Sequence, residues 1–203
     1  MMYRHLFLEG PIQTGKSTLL RRLLAPYKDQ IGGFASQRML NDDGRTIGYR
    51  IGPAESTPLT IPFIEGCELP GIFRIIHEDG TSEKFPEIFD SYGIRLLDAA
   101  REKKLILLDE IGGAELLNTK FRETLYDVLS GDIPCIGVIK LKSKASFMSK
   151  TAGYSNTVIE YNLQLRNKLI TEYGGRILSF KRDDADLKKE TEDFICGIFT
   201  TER

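Results

Sequence analysis

The chain has no tryptophan, three cysteines, two histidines and almost no net charge, the balance of acids and bases coming to −1. Each scarcity excludes something. Cys67, Cys135 and Cys196 are odd in number, far apart and without paired metal-ligand spacing, which argues against a disulfide framework or a zinc finger. Free thiols in a reducing cytoplasm are the expectation. A charge near zero provides no broad electrostatic footprint for nucleic acid or an anionic membrane surface. No apolar run approaches the span of a bilayer, and Met-Met-Tyr-Arg-His leads into the first apolar run without the pattern of a secretory leader. There is no internal repeat or low-complexity tract. Glycine and proline are spread along the chain rather than massed in a linker, so we expect one domain over residues 1–203, large enough for a well-buried core.

Against these absences stands Gly10-Pro-Ile-Gln-Thr-Gly-Lys-Ser-Thr18, which holds the phosphate-binding pattern G-x-x-x-x-G-K-S. Its context is the required one. Leu6-Phe7-Leu8 precedes it as a buried strand, and Leu19, Leu20, Leu23 and Leu24 follow as a helical stripe that stops at Pro26. Gly10 and Gly15 let the backbone turn sharply and come close to an anion. The loop N–H groups then form an anion-binding nest, to which the helix beginning near Lys16 adds the positive end of its dipole. The expected binding set is Gly10, Pro11, Ile12, Gln13, Thr14, Gly15, Lys16, Ser17 and Thr18. Lys16 is expected to reach the β and γ phosphates, and Ser17 to ligate Mg²⁺.

A second anchor lies at Lys104-Leu-Ile-Leu-Leu-Asp-Glu110. Four consecutive aliphatic residues suit a central parallel strand buried on both faces, and the acids sit at its C-terminal end, where open α/β sheets bind ligands. Asp109 is the candidate magnesium ligand. Glu110 is the candidate to orient or deprotonate an attacking water. Glu115 reads either as a supporting acid or as solvated.

Between the anchors, Ile31–Leu40 and Thr46–Ile51 flank Asp43-Gly44, an antiparallel hairpin signal. Ile72–Ile76 with Asp79-Gly80 suggests a further strand and turn, while Pro53, Pro58, Pro62 and Pro70 confine the intervening stretch to loop or edge strand. Arg38 and Arg45 invite an arginine-finger role, but a solvated strand or turn arginine is the better reading of either alone. Ser36 and Gln37 could line the nucleotide site or the surface. Pro86–Ala100 and Asn118–Ser130 carry helical apolar spacing.

Together with the phosphate loop, three segments are similar to the THEP1 family of P-loop nucleoside-triphosphatases. They are Gly32-Gly-Phe-Ala-Ser36, Gly44-Arg-Thr-Ile-Gly-Tyr49 and Leu108-Asp-Glu-Ile-Gly-Gly-Ala-Glu-Leu-Leu-Asn-Thr-Lys-Phe121. The resemblance covers about residues 3–140. It implies a three-layer αβα, RecA-like fold and Mg²⁺-dependent hydrolysis of ATP, GTP and other triphosphates to diphosphate and phosphate. Under it Lys16, Ser17, Asp109 and Glu110 keep the roles given above. The chain departs from the family at Gln13, where glycine is usual. It departs again at Ser36, Gln37 and Arg38, which replace charged residues, and at Gly113-Ala114, where a Lys- or Pro-Met pair is common.

Downstream, Pro134–Leu141 reads as a core strand. Lys140, Lys142, Lys144 and Lys150 follow as a basic segment better read as a solvated loop than as a phosphate contact. Thr157–Tyr161 suits a strand, Leu163–Glu172 a helix, Arg176–Phe180 a last strand, and Leu187–Phe199 a closing amphipathic helix. No Asn-Lys-x-Asp segment occurs to read guanine. The leading expectation is a nucleoside-triphosphatase of relaxed base choice, with an α/β fold of mostly parallel strands and an antiparallel hairpin insertion. Its alternatives are a small-molecule or nucleotide kinase and a nucleotide-dependent switch.

Overall fold

The computed structural model describes residues 3–55, 58–64, 66, 68–141 and 156–200. Its centre is five parallel strands in the order β9 (Gly175–Ser179), β1 (His5–Glu9), β8 (Cys135–Ile139), β7 (Leu105–Ile111) and β2 (Ile31–Leu40). Antiparallel strands β3 (Thr46–Pro53), β5 (Ile72–Ile76) and β6 (Ser82–Lys84) extend the sheet beyond β2. The short β4 (Thr60–Pro62) runs parallel against the outer half of β2. The hairpin expected at Asp43-Gly44 forms, with Gly44 at φ 74°, a left-handed turn conformation that suits glycine.

Because the central strands are buried on both faces, their apolar residues divide by parity between two cores. Phe7, Phe34, Ile106, Leu108, Cys135 and Ile139 point to one face. There they pack under α2 (Ile94–Ala99), α3 (Thr119–Ser130) and α4 (Thr157–Thr171). Leu6, Leu8, Leu105, Leu107, Ile136 and Val138 point to the other, against α1 (Lys16–Leu24) and α5 (Ala185–Thr200). This is the three-layer αβα arrangement of the P-loop fold. Among the described residues no helix is long and apolar enough to cross a membrane.

Two elements differ from the sequence-based expectation. Thr157–Tyr161 is the first part of one continuous helix, α4, and not a strand. The helical period emerges only when Asn162 is counted with the buried Val158, Leu165 and Leu169, and a polar residue conceals it. The Pro86–Ala100 helix opens with a widened π turn over Phe89–Gly93 before α2 begins. A side chain at Gly93 would come within 3.1 Å of the Phe121 ring, so the glycine lets α3 pack close to this turn.

Candidate active site

Strands β1, β7 and β8 are parallel, so their C-terminal ends open on one edge of the sheet, and β8 lies between the other two. The phosphate loop leaves the end of β1, Asp109 and Glu110 lie in the C-terminal part of β7, and Lys140 follows β8 directly. The tips of β1 and β7 are thus two strand spacings apart, about 10 Å. A cleft of about 590 Å³ opens over this edge, lined near the loop by Ile12, Gln13, Gly15, Lys16, Ser17 and Thr18 and opposite them by Asp109, Glu110, Glu115 and Lys140.

Within the loop, Gly15 turns at φ 102° and α1 starts at the next residue, with no acid in its first turn to offset the positive helix end. The Lys16 ammonium is buried and folded back over the loop, donating to the carbonyls of Gly10 (3.0 Å) and Pro11 (2.5 Å) and to Thr14 Oγ1 (3.2 Å). Gly10, Pro11 and Thr14 therefore sit behind the lysine, while the other loop residues face the cleft. Ser17 Oγ donates to Asp109 Oδ1 at 2.9 Å, joining the two sequence anchors directly. Burial lifts the Asp109 carboxyl to about 6; the Glu110 charge adds to the rise, and the Ser17 hydrogen bond and the nearby Arg21 oppose it.

Gln13 (φ 59°) and Glu110 (φ 67°) are the only described non-glycine residues with positive φ, and both line the cleft. Left-handed backbone in a residue with a side chain costs energy and tends to be retained at functional sites. At residue 13 it explains why glycine suits the position.

Lys140 is not part of a solvated loop. Its ammonium lines the cleft 3.2 Å from Glu115 Oε2, and Glu115 is 4% exposed with its other oxygen accepting the Gly113 N–H at 2.7 Å. Burial pushes the Lys140 ammonium down, but Glu115, Glu110 and Asp109 outweigh it and the group is held above its ordinary value. Lys142, Lys144 and Lys150 lie outside the described residues. Helix α4 fixes this corner: Asn162 Nδ2 donates to the carbonyls of Gly112 (2.7 Å) and Lys140 (3.3 Å), and Arg166 bonds the Lys140 carbonyl and pairs with Glu9 at the end of β1.

Of the other candidates, Ser36 and Arg38 line the cleft, Gln37 is buried and bonds the Pro58 carbonyl, and Arg45 is exposed beside the hairpin turn and does not line the cleft. The sequence reading missed Tyr49, Arg74 and Lys84, which line the far part of the cleft, and Asn162 as an anchor. For Lys140 a signal existed, since it follows an aliphatic strand as Asp109 follows Leu105–Leu108.

A family model described as NTPase matches residues 5–173. The nucleoside-triphosphatase THEP1 of Thermotoga sp. (strain RQ2) is 32% identical over 185 residues, covering 88% of this chain and 98% of that protein. The chain belongs to the THEP1 family of nucleoside-triphosphatases. A more divergent THEP1 relative, from Methanocaldococcus jannaschii, is 25% identical over 86% of this chain and 97% of its own length. Two solved structures share the fold at a TM-score of 0.59, THEP1 from Aquifex aeolicus (18% identity) and a human cancer-related nucleoside triphosphatase (20%). Each covers 98% of this chain, and this chain covers 99% and 100% of them. Membership places this THEP1-family chain among hydrolases acting on nucleoside triphosphates and implies triphosphate binding.

Proposed function

We propose that the chain is a Mg²⁺-dependent nucleoside-triphosphatase of relaxed base choice in which Glu110 positions the attacking water. The observation that carries this reading is the Ser17–Asp109 hydrogen bond, which brings a hydroxyl and a carboxylate together beside Lys16 and Glu110. That donor set is hard oxygen and fits Mg²⁺, which is usually held by one or two protein groups with phosphates and waters completing the shell. Among the described residues no cluster of three acids, histidines or cysteines provides an all-protein metal cage, in keeping with an ion that arrives with its substrate. Bound there, Mg²⁺ would neutralise charge on the β and γ phosphates.

In this mechanism the loop N–H groups and α1 hold the phosphate chain, and Lys16 exchanges its contacts to the loop carbonyls for phosphate oxygens. The water oxygen bonds to Pγ, the Pγ–O bond to the β phosphate breaks, the diphosphate leaves, and the water proton passes to Glu110. Lys140, poised by Glu115, supplies positive charge near the transferring group.

The test is phosphate release from ATP, GTP, CTP and UTP with and without Mg²⁺, comparing wild type with Glu110→Gln. All four bases are expected to turn over with Mg²⁺, and the substitution should keep nucleotide binding while lowering turnover about 10²–10⁴-fold. Unchanged release from the variant would remove Glu110 from the role.

A further inference from the structure

Beyond Glu110 the cleft continues along the antiparallel strands, over residues that the phosphate grip does not use. Strand register sets Arg38 opposite Tyr49, Tyr49 opposite Arg74, and Arg74 opposite Lys84. The four form one row across β2, β3, β5 and β6, and all four line the cleft. With strands about 4.8 Å apart, the row spans about 14 Å.

Three cations and no acid stand in this row, and like charges directly opposite on neighbouring strands, as Arg74 and Lys84 are, destabilise a sheet. Arg38 and Arg74 form no ion pair among the described residues. Arg74 Nε is buried and has no hydrogen-bond partner among them. A buried guanidinium donor left unmatched loses its hydration without return. Beside the cations lies an apolar wall: the Tyr49 and Phe73 rings are 6.3 Å apart and stacked, and Phe89 is 5.4 Å beyond. The Arg74 guanidinium sits 6.0 Å from the Tyr49 ring centroid, which holds cation and ring side by side. A row of cations against aromatic faces recognises an anion that carries a flat ring.

We propose that this row is a second substrate site that takes a nucleoside monophosphate as phosphoryl acceptor in place of water. The phosphate would lie on Arg38 and Arg74 and the base against the aromatic wall. The inference rests on the reading that the phosphate loop holds the triphosphate. Arg38 and Ser36 belong to β2, the neighbour of β7, so the row enters the cleft from the Glu110 side, where the γ-phosphate would face. An ionised oxygen of the monophosphate bonds to Pγ, the Pγ–O bond to the β phosphate breaks, and two nucleoside diphosphates result. No proton needs an acceptor, and water remains the default when the row is empty.

The test is calorimetric titration of AMP, GMP and inorganic phosphate into wild-type protein already saturated with Mg²⁺ and a β,γ-imido triphosphate. We expect one monophosphate to bind per chain with the analogue in place, and inorganic phosphate to bind at least tenfold more weakly. Arg74→Gln should weaken the monophosphate at least tenfold while leaving analogue affinity unchanged, which also reports that the variant is folded, and Arg74→Lys should recover part of the loss. With γ-labelled ATP, label should appear on the added monophosphate. One-for-one competition between monophosphate and analogue would overturn the proposal, because the row would then read the triphosphate's own base. No binding at millimolar concentration, binding indifferent to Arg74→Gln, or binding without label transfer would also overturn it. Failure of the underlying reading is distinct: the analogue itself would not bind, or would bind equally to Lys16→Ala.

Discussion

Replacing Lys140 separates a catalytic charge from a structural one. The Lys140 ammonium is 3.2 Å from a Glu115 carboxylate that is 4% exposed, while the lysine side chain is 26% exposed. At an effective dielectric of 20 that separation corresponds to a gross attraction of about 5 kcal/mol, most of it cancelled by the desolvation of both groups. Lys140→Met leaves the buried Glu115 with the Gly113 N–H as its partner, and we expect a loss of about 2–3 kcal/mol, or roughly 5–10 °C in Tm. Adding Glu115→Gln removes the orphaned charge and keeps an oxygen for Gly113, so stability should return to within about 1 kcal/mol of wild type. Turnover should behave differently. If Lys140 offers charge to the transferring phosphoryl group, kcat falls about 10²–10³-fold in the single variant and stays low in the double. Urea unfolding and steady-state phosphate release on the same preparations decide the matter. Turnover that recovers together with stability would refute the charge role and leave Lys140 as the partner of Glu115 alone.

Three further outcomes follow from particular residues. His5 is fully buried, its Nδ1 accepting the Cys135 N–H at 3.0 Å and its Nε2–H donating to the Leu129 carbonyl at 3.0 Å. Burial lowers it from 6.5 to about 4, so the unfolded chain binds the extra proton first: stability is complete above about 6.5 and drains as pH falls from 6.5 towards 4. The loss is on the order of 3 kcal/mol, and urea midpoints at pH 7.5 and 5 should show a slope that His5→Phe flattens. At Gln13, the left-handed backbone predicts that Gln13→Gly does not destabilise, whereas Gln13→Val costs about 1–2 kcal/mol in thermal melts. Breaking the α4 anchor with Asn162→Ala leaves the buried Gly112 carbonyl without its 2.7 Å donor, and we expect about 1–2 kcal/mol of lost stability together with reduced turnover at unchanged nucleotide affinity.

The parts of the site legible in the sequence are those set by local chemistry. Gly10, Gly15 and Lys16 announce a phosphate loop because only certain residue types tolerate its backbone, and Asp109 and Glu110 are marked by the aliphatic run before them. That the two anchors meet is expected from their places at strand ends, and the Ser17–Asp109 hydrogen bond joins them. The remainder depends on long-range packing. Asn162 hides the helical period of α4, since a buried polar residue looks like a solvent-facing one until its partners are known. Lys140 resembles the basic run behind it and is separated from it only by the position of Glu115. Arg38, Tyr49, Arg74 and Lys84 form a row only through the register of four strands, which contains a bulge between Tyr49 and Arg50 that alternation alone does not reveal.

The central claim is that one magnesium-bound triphosphate bridges the phosphate loop and the acidic tip of β7, and a metal titration tests it most directly. Phosphate release from ATP is followed as Mg²⁺ is raised, in wild type and in Asp109→Asn. We expect the Mg²⁺ concentration for half-maximal rate to rise about 10–100-fold in the variant, with part of the rate recovered in excess metal. An unchanged half-saturation would contradict the claim, because Asp109 would then have no part in holding the ion.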